Sequence, residues 1–138
     1  SSPMPTWRFK MTIPFWCLLV VLLIPYVLAG VAGYFKATQL GTLDNNNPRN
    51  QSAALTGAGA RVYAAQQNAW EAAAIFTAAV LVAHFAGADA QMSATLAMAF
   101  VAFRILHAVA YAADWATLRS LLFLGALGSA VWLFILAG

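Results

Sequence analysis

Four long apolar runs divide this 138-residue chain, and each reaches the ~20 residues that a helix needs to cross the ~30 Å hydrocarbon core of a bilayer. Hydrophobic residues make up 63% of the chain and charged residues only 8%, against roughly 45–50% and about 25% in soluble domains. A soluble chain this short has too much surface for its volume to hide that much apolar area, so lipid is the solvent. Backbone polar groups in lipid must be satisfied within their own segment, which makes the runs helices. The expected fold is all-α and integral to the membrane: a four-transmembrane-helix up-down-up-down bundle, with residues 1–138 as one domain.

The crossings are expected near residues 14–34, 60–86, 92–113 and 118–137. Pro14 suits a first helical turn, where its missing N–H costs nothing, and Pro25 should bend the first helix. Arg8 and Lys10 before an apolar run, followed by Val27-Leu28-Ala29-Gly30, have the outline of a secretory signal. The run continues to Phe35, too far for one, so the segment is expected to stay as a crossing. Residues 36–59 are the one long polar stretch and read as an ordered or semi-ordered loop, with Asn47 pushed away from helix by Pro48. The second crossing is rich in alanine. Small side chains let helices approach closely in lipid, which places this crossing at the centre of the bundle. Gly87 to Ala90 and Asp114 to Thr117 read as tight links. Gly125 and Ser129 form a small-xxx-small pair, and Trp7, Trp16, Trp115 and Tyr34 fit interfacial anchors.

Seven basic and four acidic residues give a net charge of +3. They form no run or stripe of the kind that follows a phosphate backbone, which argues against nucleic acid as a partner. Cys17 has no second cysteine to pair with and no metal-ligand spacing around it, and it reads as lipid-facing or core packing. Arg8 and Lys10 flank the terminal side, while Lys36, Arg49, Arg61 and Arg119 flank the first and third loops. The excess of basic residues assigns those loops to the cytoplasm.

The chemistry is concentrated in two polar stripes. An ionisable residue inside a membrane helix costs ~2.5–3.5 kcal/mol on insertion scales and is a functional candidate by default. On the second helix Arg61 and Asn68 fall within about 20° of each other, with Glu71 about 60° further round. On the third, Arg104, His107 and Tyr111 occupy a wedge of about 60°. Buried pairs holding the helices in register would account for part of this, with Glu71 neutralising Arg61 or Arg104. Adding Arg119, in the first turn of the fourth helix, leaves three arginines against one carboxylate. Unbalanced positive charge at the membrane boundary asks for an anionic ligand, and arginine suits carboxylates through its paired donors. His84, Asp89 and Tyr63 read as interfacial.

Arg61-Val62-Tyr63-Ala64-Ala65-Gln66-Gln67-Asn68-Ala69-Trp70-Glu71 resembles the second-helix signature of the MAPEG superfamily, membrane-associated proteins in eicosanoid and glutathione metabolism. Arg104-Ile105-Leu106-His107-Ala108-Val109-Ala110-Tyr111, then Arg119-Ser120, is similar to the corresponding motifs of microsomal glutathione transferases and prostaglandin E synthases. Asp44-Asn45 with Pro48-Arg49 is similar to a loop of small bacterial members. The resemblance implies a homotrimer in a bacterial inner membrane, with glutathione as co-substrate bound between neighbouring subunits. It implies a transferase or peroxidase acting on lipophilic electrophiles. By position Arg119 would stabilise the glutathione thiolate. Tyr111, His107 and Ser120 would contact the tripeptide, Asn68 and Glu71 would hold it or the surrounding helices, and Arg61 and Arg104 would serve the same pocket. Ala64 stands where the family often has an arginine, so a carboxylate clamp would fall to Arg61 or Arg49. A non-catalytic membrane subunit, or a binder of another anionic lipid or metabolite, is the alternative reading.

Overall fold

The computed structural model describes residues 10–138, so Trp7 and Arg8 lie outside the described residues. The chain forms α1 (Ile13–Leu40), α2 (Pro48–Ala54), α3 (Gly57–Phe85), α4 (Ala90–Ala112) and α5 (Ala116–Ala137). Four of them, α1, α3, α4 and α5, are long and apolar enough to cross a membrane, and the chain is an integral, multi-pass membrane protein.

α1 starts with Pro14 in its first turn and runs unbroken through a buried Pro25. It ends not near residue 34 but at Leu40, where Gly41 takes the left-handed conformation (φ 83°) that closes a helix. The extra turns have left the apolar run yet keep helical bonding, because their polar side chains find partners. Thr38 Oγ1 donates to the Tyr34 carbonyl at 3.1 Å, and Lys36 Nζ donates to the Pro48 carbonyl at 3.2 Å. Gln39 Nε2 donates to the Thr56 carbonyl at 3.0 Å, and its Oε1 accepts from the Thr56 N–H at 3.0 Å. The polar stretch expected as a loop therefore contains a short helix, α2, started by Pro48 behind an Asn47 held at φ −135°, ψ 55°.

α3 packs against all four other helices, as its alanine content predicts. Its buried side carries Gly59, Val62, Ala65, Ala69, Ala73, Phe76, Ala79, Val80 and Ala83. A Cβ on Gly59 would come within 3.1 Å of the Phe35 Cβ, so any larger residue there would push α1 back by a few tenths of an ångström. Phe76 stacks on Phe100 with centroids 4.1 Å apart, both fully buried. In lipid such contacts gain dispersion rather than relief from water. Cys17 belongs to the same buried cluster.

The links are tight, as expected. Asp89 caps α4 by accepting the Met92 N–H at 2.8 Å. Asp114, at φ 63°, supplies the left-handed residue between α4 and α5, a conformation that aspartate tolerates better than most residues. The Phe103 ring of α4 lies over Gly125 of α5, where an added Cβ would meet it at 2.8 Å. Ser129 Oγ donates to the Gly125 carbonyl at 2.9 Å. The last turn of α1, the first turns of α3 and α5 and the last turn of α4 meet at one end of the bundle, joined by Gln39, Arg61 and Arg119.

Candidate functional site

The stripes of α3 and α4 meet the start of α5 along two adjoining grooves. The groove nearer the loop-bearing end encloses about 350 Å³ and is lined by Asn68, His107, Tyr111, Arg119, Ser120, Phe123 and Leu124. The deeper one encloses about 230 Å³, and its polar lining is Asn68, Glu71 and Arg104. Asn68 and Phe123 line both.

Helical spacing explains the grouping. Arg104, His107 and Tyr111 follow at three and four residues and stack along one side of α4. Asn68 and Glu71 do the same on α3, and Arg119, Ser120 and Phe123 on α5. The Arg119 guanidinium carbon lies 4.6 Å from the centre of the Tyr111 ring, within reach of a cation–π contact. Arg119 is in the first turn of α5, its own N–H bonded to the Trp115 carbonyl at 2.9 Å. The N–H groups just before it have no helical acceptor and add positive potential there. His107 is 2% exposed and packs edge-on against Tyr111 at 5.7 Å and tilted against Phe123 at 6.4 Å.

Two buried polar atoms of this site, Asn68 Oδ1 and His107 Nδ1, have no hydrogen-bond partner among the described residues. A buried polar atom left unpaired costs about 1–3 kcal/mol, so the grooves carry an unmet demand for polar contacts. Arg104 is 3% exposed and lines the deeper groove with Glu71. Among the described residues no ion pair joins Glu71 to Arg61 or Arg104. Glu71 is exposed on a single chain, although it lies at the midpoint of α3. The grooves can take an anion with hydrogen-bonding groups of its own; among the described residues no cluster could hold a metal ion.

Arg61 is placed apart from the other seven candidates. Its Nε donates to the Ala112 carbonyl at 3.2 Å, and it lines neither groove. A carbonyl at a helix C-terminus attracts a cation, so the guanidinium ties α3 to the end of α4. Asp89 is a cap, His84 is exposed against Phe15 and Phe85, and Tyr63 packs on the second buried cluster. Among the apolar lining residues that sequence reasoning missed, Phe123 is the one that packs on His107 and lines both grooves. Its distance of four residues from Arg119 puts both on one side of α5, which is the signal that could have found it.

A family model described as "MAPEG family" matches residues 13–138, nearly the whole chain. No curated protein and no solved structure matches it.

Proposed function

This chain belongs to the MAPEG family, and from that premise we propose that it is a glutathione-dependent transferase or peroxidase acting on lipophilic electrophiles drawn from the bilayer. The observation that carries the reading is the groove in which Arg119, stacked on Tyr111, faces His107, Ser120 and Asn68. Glutathione is an anion with several amide donors and acceptors, so it meets both the surplus positive charge and the unpaired Asn68 Oδ1 and His107 Nδ1. Tyr111, His107 and Ser120 contact the tripeptide, Asn68 and Glu71 hold it, and Arg104 supplies charge beneath it.

No side chain acts as a covalent nucleophile, because glutathione brings the sulfur. A thiol near pKa 8.5 is mostly protonated at neutral pH, and the thiolate is the nucleophile. Arg119 and the α5 N-terminus favour the thiolate as its proton leaves to water, each unit of lowering taking ~1.36 kcal/mol of preferential stabilisation. The thiolate then attacks the electrophilic centre, and the new bond forms at sulfur as a leaving group departs with its bonding pair or, in an addition, as the opened double bond takes a proton from water. With a lipid hydroperoxide the O–O bond breaks instead, the alkoxide takes a proton from water, and a second glutathione displaces hydroxide from the oxidised sulfur to leave the disulfide. The resemblance to microsomal glutathione transferases supports a homotrimer in which a neighbouring copy closes the groove. It also supports a bacterial inner membrane with the loop-bearing end in the cytoplasm, where glutathione is made. With purified protein, added glutathione is expected to show the ultraviolet absorbance of a thiolate at neutral pH, and Arg119→Ala to remove it. Wild-type protein that neither binds glutathione nor ionises it ends this reading.

One observation favours a second reading. Ala64 offers no cation for a glutathione carboxylate, and Arg61 is turned to the Ala112 carbonyl instead. A charge left without its partner costs ~2–5 kcal/mol. On this reading the grooves hold a different anionic lipid or metabolite, or the chain is a non-catalytic membrane subunit. Mass spectrometry of ligands retained through purification separates the two: glutathione supports the first reading, and another anion the second.

A further inference from the structure

A third groove lies on the other side of α4 from the candidate site. It is formed by α1 and α4 over Val62 of α3, encloses about 460 Å³ and has an almost wholly apolar lining. On α4 it uses Ile105, Ala108, Val109 and Ala112, centred about 120° round the helix from Arg104, His107 and Tyr111. On α1 it runs from Val20 to Val31, a rise of about 16 Å. That is about half of the ~30 Å hydrocarbon core, the depth of one leaflet.

The two ends of the groove differ. Val20 and Ile105 lie towards the middle of the bundle. Val31, Val62 and Ala112 lie at the loop-bearing end, and there the Ala112 carbonyl accepts from Arg61 Nε at 3.2 Å. That bond engages one of the five guanidinium donors and leaves the paired donors of the fork for a ligand. Asp114, in the turn beyond Ala112, is exposed and makes no ion pair with Arg61 among the described residues. An apolar trough one leaflet deep, with a cation beside its interfacial end, suits an acyl chain attached to an anionic head, and in a phospholipid bilayer that head is a phosphate. Arginine binds phosphate through two parallel hydrogen bonds. We propose that the α1–α4 groove holds one chain of an anionic phospholipid whose phosphate is bound by Arg61. This assigns Arg61 a ligand separate from the one bound in the grooves lined by Asn68 and Arg119.

The test is native mass spectrometry of the full chain in detergent, with equal amounts of phosphatidylglycerol and phosphatidylcholine carrying the same acyl chains. The wild-type protein is expected to retain phosphatidylglycerol roughly five- to tenfold over phosphatidylcholine, the effect of one cation at an anionic surface. Arg61→Gln should bring that ratio close to one, reducing retention of phosphatidylglycerol more than that of phosphatidylcholine, whose choline cation already offsets the phosphate charge. Val109→Trp, at a position 52% exposed on the open side of the groove, should reduce retention of both lipids. Where Arg61→Gln does not fold, Val109→Trp still decides, because it leaves the bond from Arg61 to Ala112 in place. A wild-type ratio near one overturns the proposal, as does retention of both lipids unchanged in Val109→Trp. A disulfide joining two copies that carry Val27→Cys and Ile105→Cys also overturns it, since the groove would then be covered by protein.

Discussion

Asp44 accepts two hydrogen bonds inside its own turn, from the Asn47 side-chain amide at 3.0 Å and from the Asn46 N–H at 3.0 Å. The Asn47 amide first, and then the Asn46 N–H, hold its carboxyl below the ordinary value of 3.8. The folded loop therefore prefers the ionised form. Its contribution is fully present above the unfolded pKa and is lost as pH falls through the lowered folded value. Hydrogen-exchange protection across residues 44–51 should hold from neutral pH down to about 4 and fall below it, while Asp44→Ala should show the low-pH protection throughout. At Arg119 the expectation is catalytic. Removing one preorganised electrostatic stabiliser costs ~10²–10³ in kcat. Arg119→Ala should show that loss against a glutathione-dependent assay, with Arg119→Lys intermediate because the charge stays and the planar contact with Tyr111 is lost. Gly125 makes a packing prediction. Gly125→Ala drives a Cβ to 2.8 Å from the Phe103 ring, and overpacking of this kind costs ~1–3 kcal/mol. Its melting temperature should fall, and adding Phe103→Leu should restore it.

Among the elements, the start of α4 rests on one side chain. Asp89→Ala should destabilise by ~0.5–2 kcal/mol, read as a lower melting temperature, and Asp89→Asn should be tolerated. How much of each element was legible depends on contrast. The four crossings stand out because apolar runs leave no other solvent, and the stripe of Arg104, His107 and Tyr111 stands out against an apolar helix. The end of α1 was missed because a helix can outlast the hydrocarbon: Lys36, Thr38 and Gln39 end the apolar run but not the backbone bonding. α2 was missed because Pro48 to Ala54 is too short and too polar to show a period. Phe123 was missed for the opposite reason, as an apolar residue among apolar residues. Arg61 shares an angular position with Asn68, yet its long side chain reaches back to Ala112. Spacing fixes where a Cβ starts but not where a long side chain ends.

On the scale of the whole molecule, one chain leaves polar chemistry facing outwards at mid-depth. Glu71 is exposed at the centre of α3. Tyr26, 63% exposed near the centre of α1, packs edge-on against Trp70, 38% exposed, at 5.2 Å. Facing lipid, the carboxylate would cost ~2.5–3.5 kcal/mol, and among the described residues no ion pair neutralises it. A neighbouring copy that covers Glu71 and closes the deeper groove removes that cost and supplies the missing wall. The two arrangements give opposite signs for one substitution. If Glu71 faces lipid, Glu71→Leu removes a penalty and raises the melting temperature. If a copy covers it, Glu71→Leu removes a buried polar contact, and the assembly loosens. We expect the wild-type protein to run as a trimer in native mass spectrometry. Glu71→Leu should release monomer and melt lower, with Glu71→Gln between the two. A monomeric wild type, or a Glu71→Leu chain that is the more stable, would leave the carboxylate facing lipid and the groove open on one side.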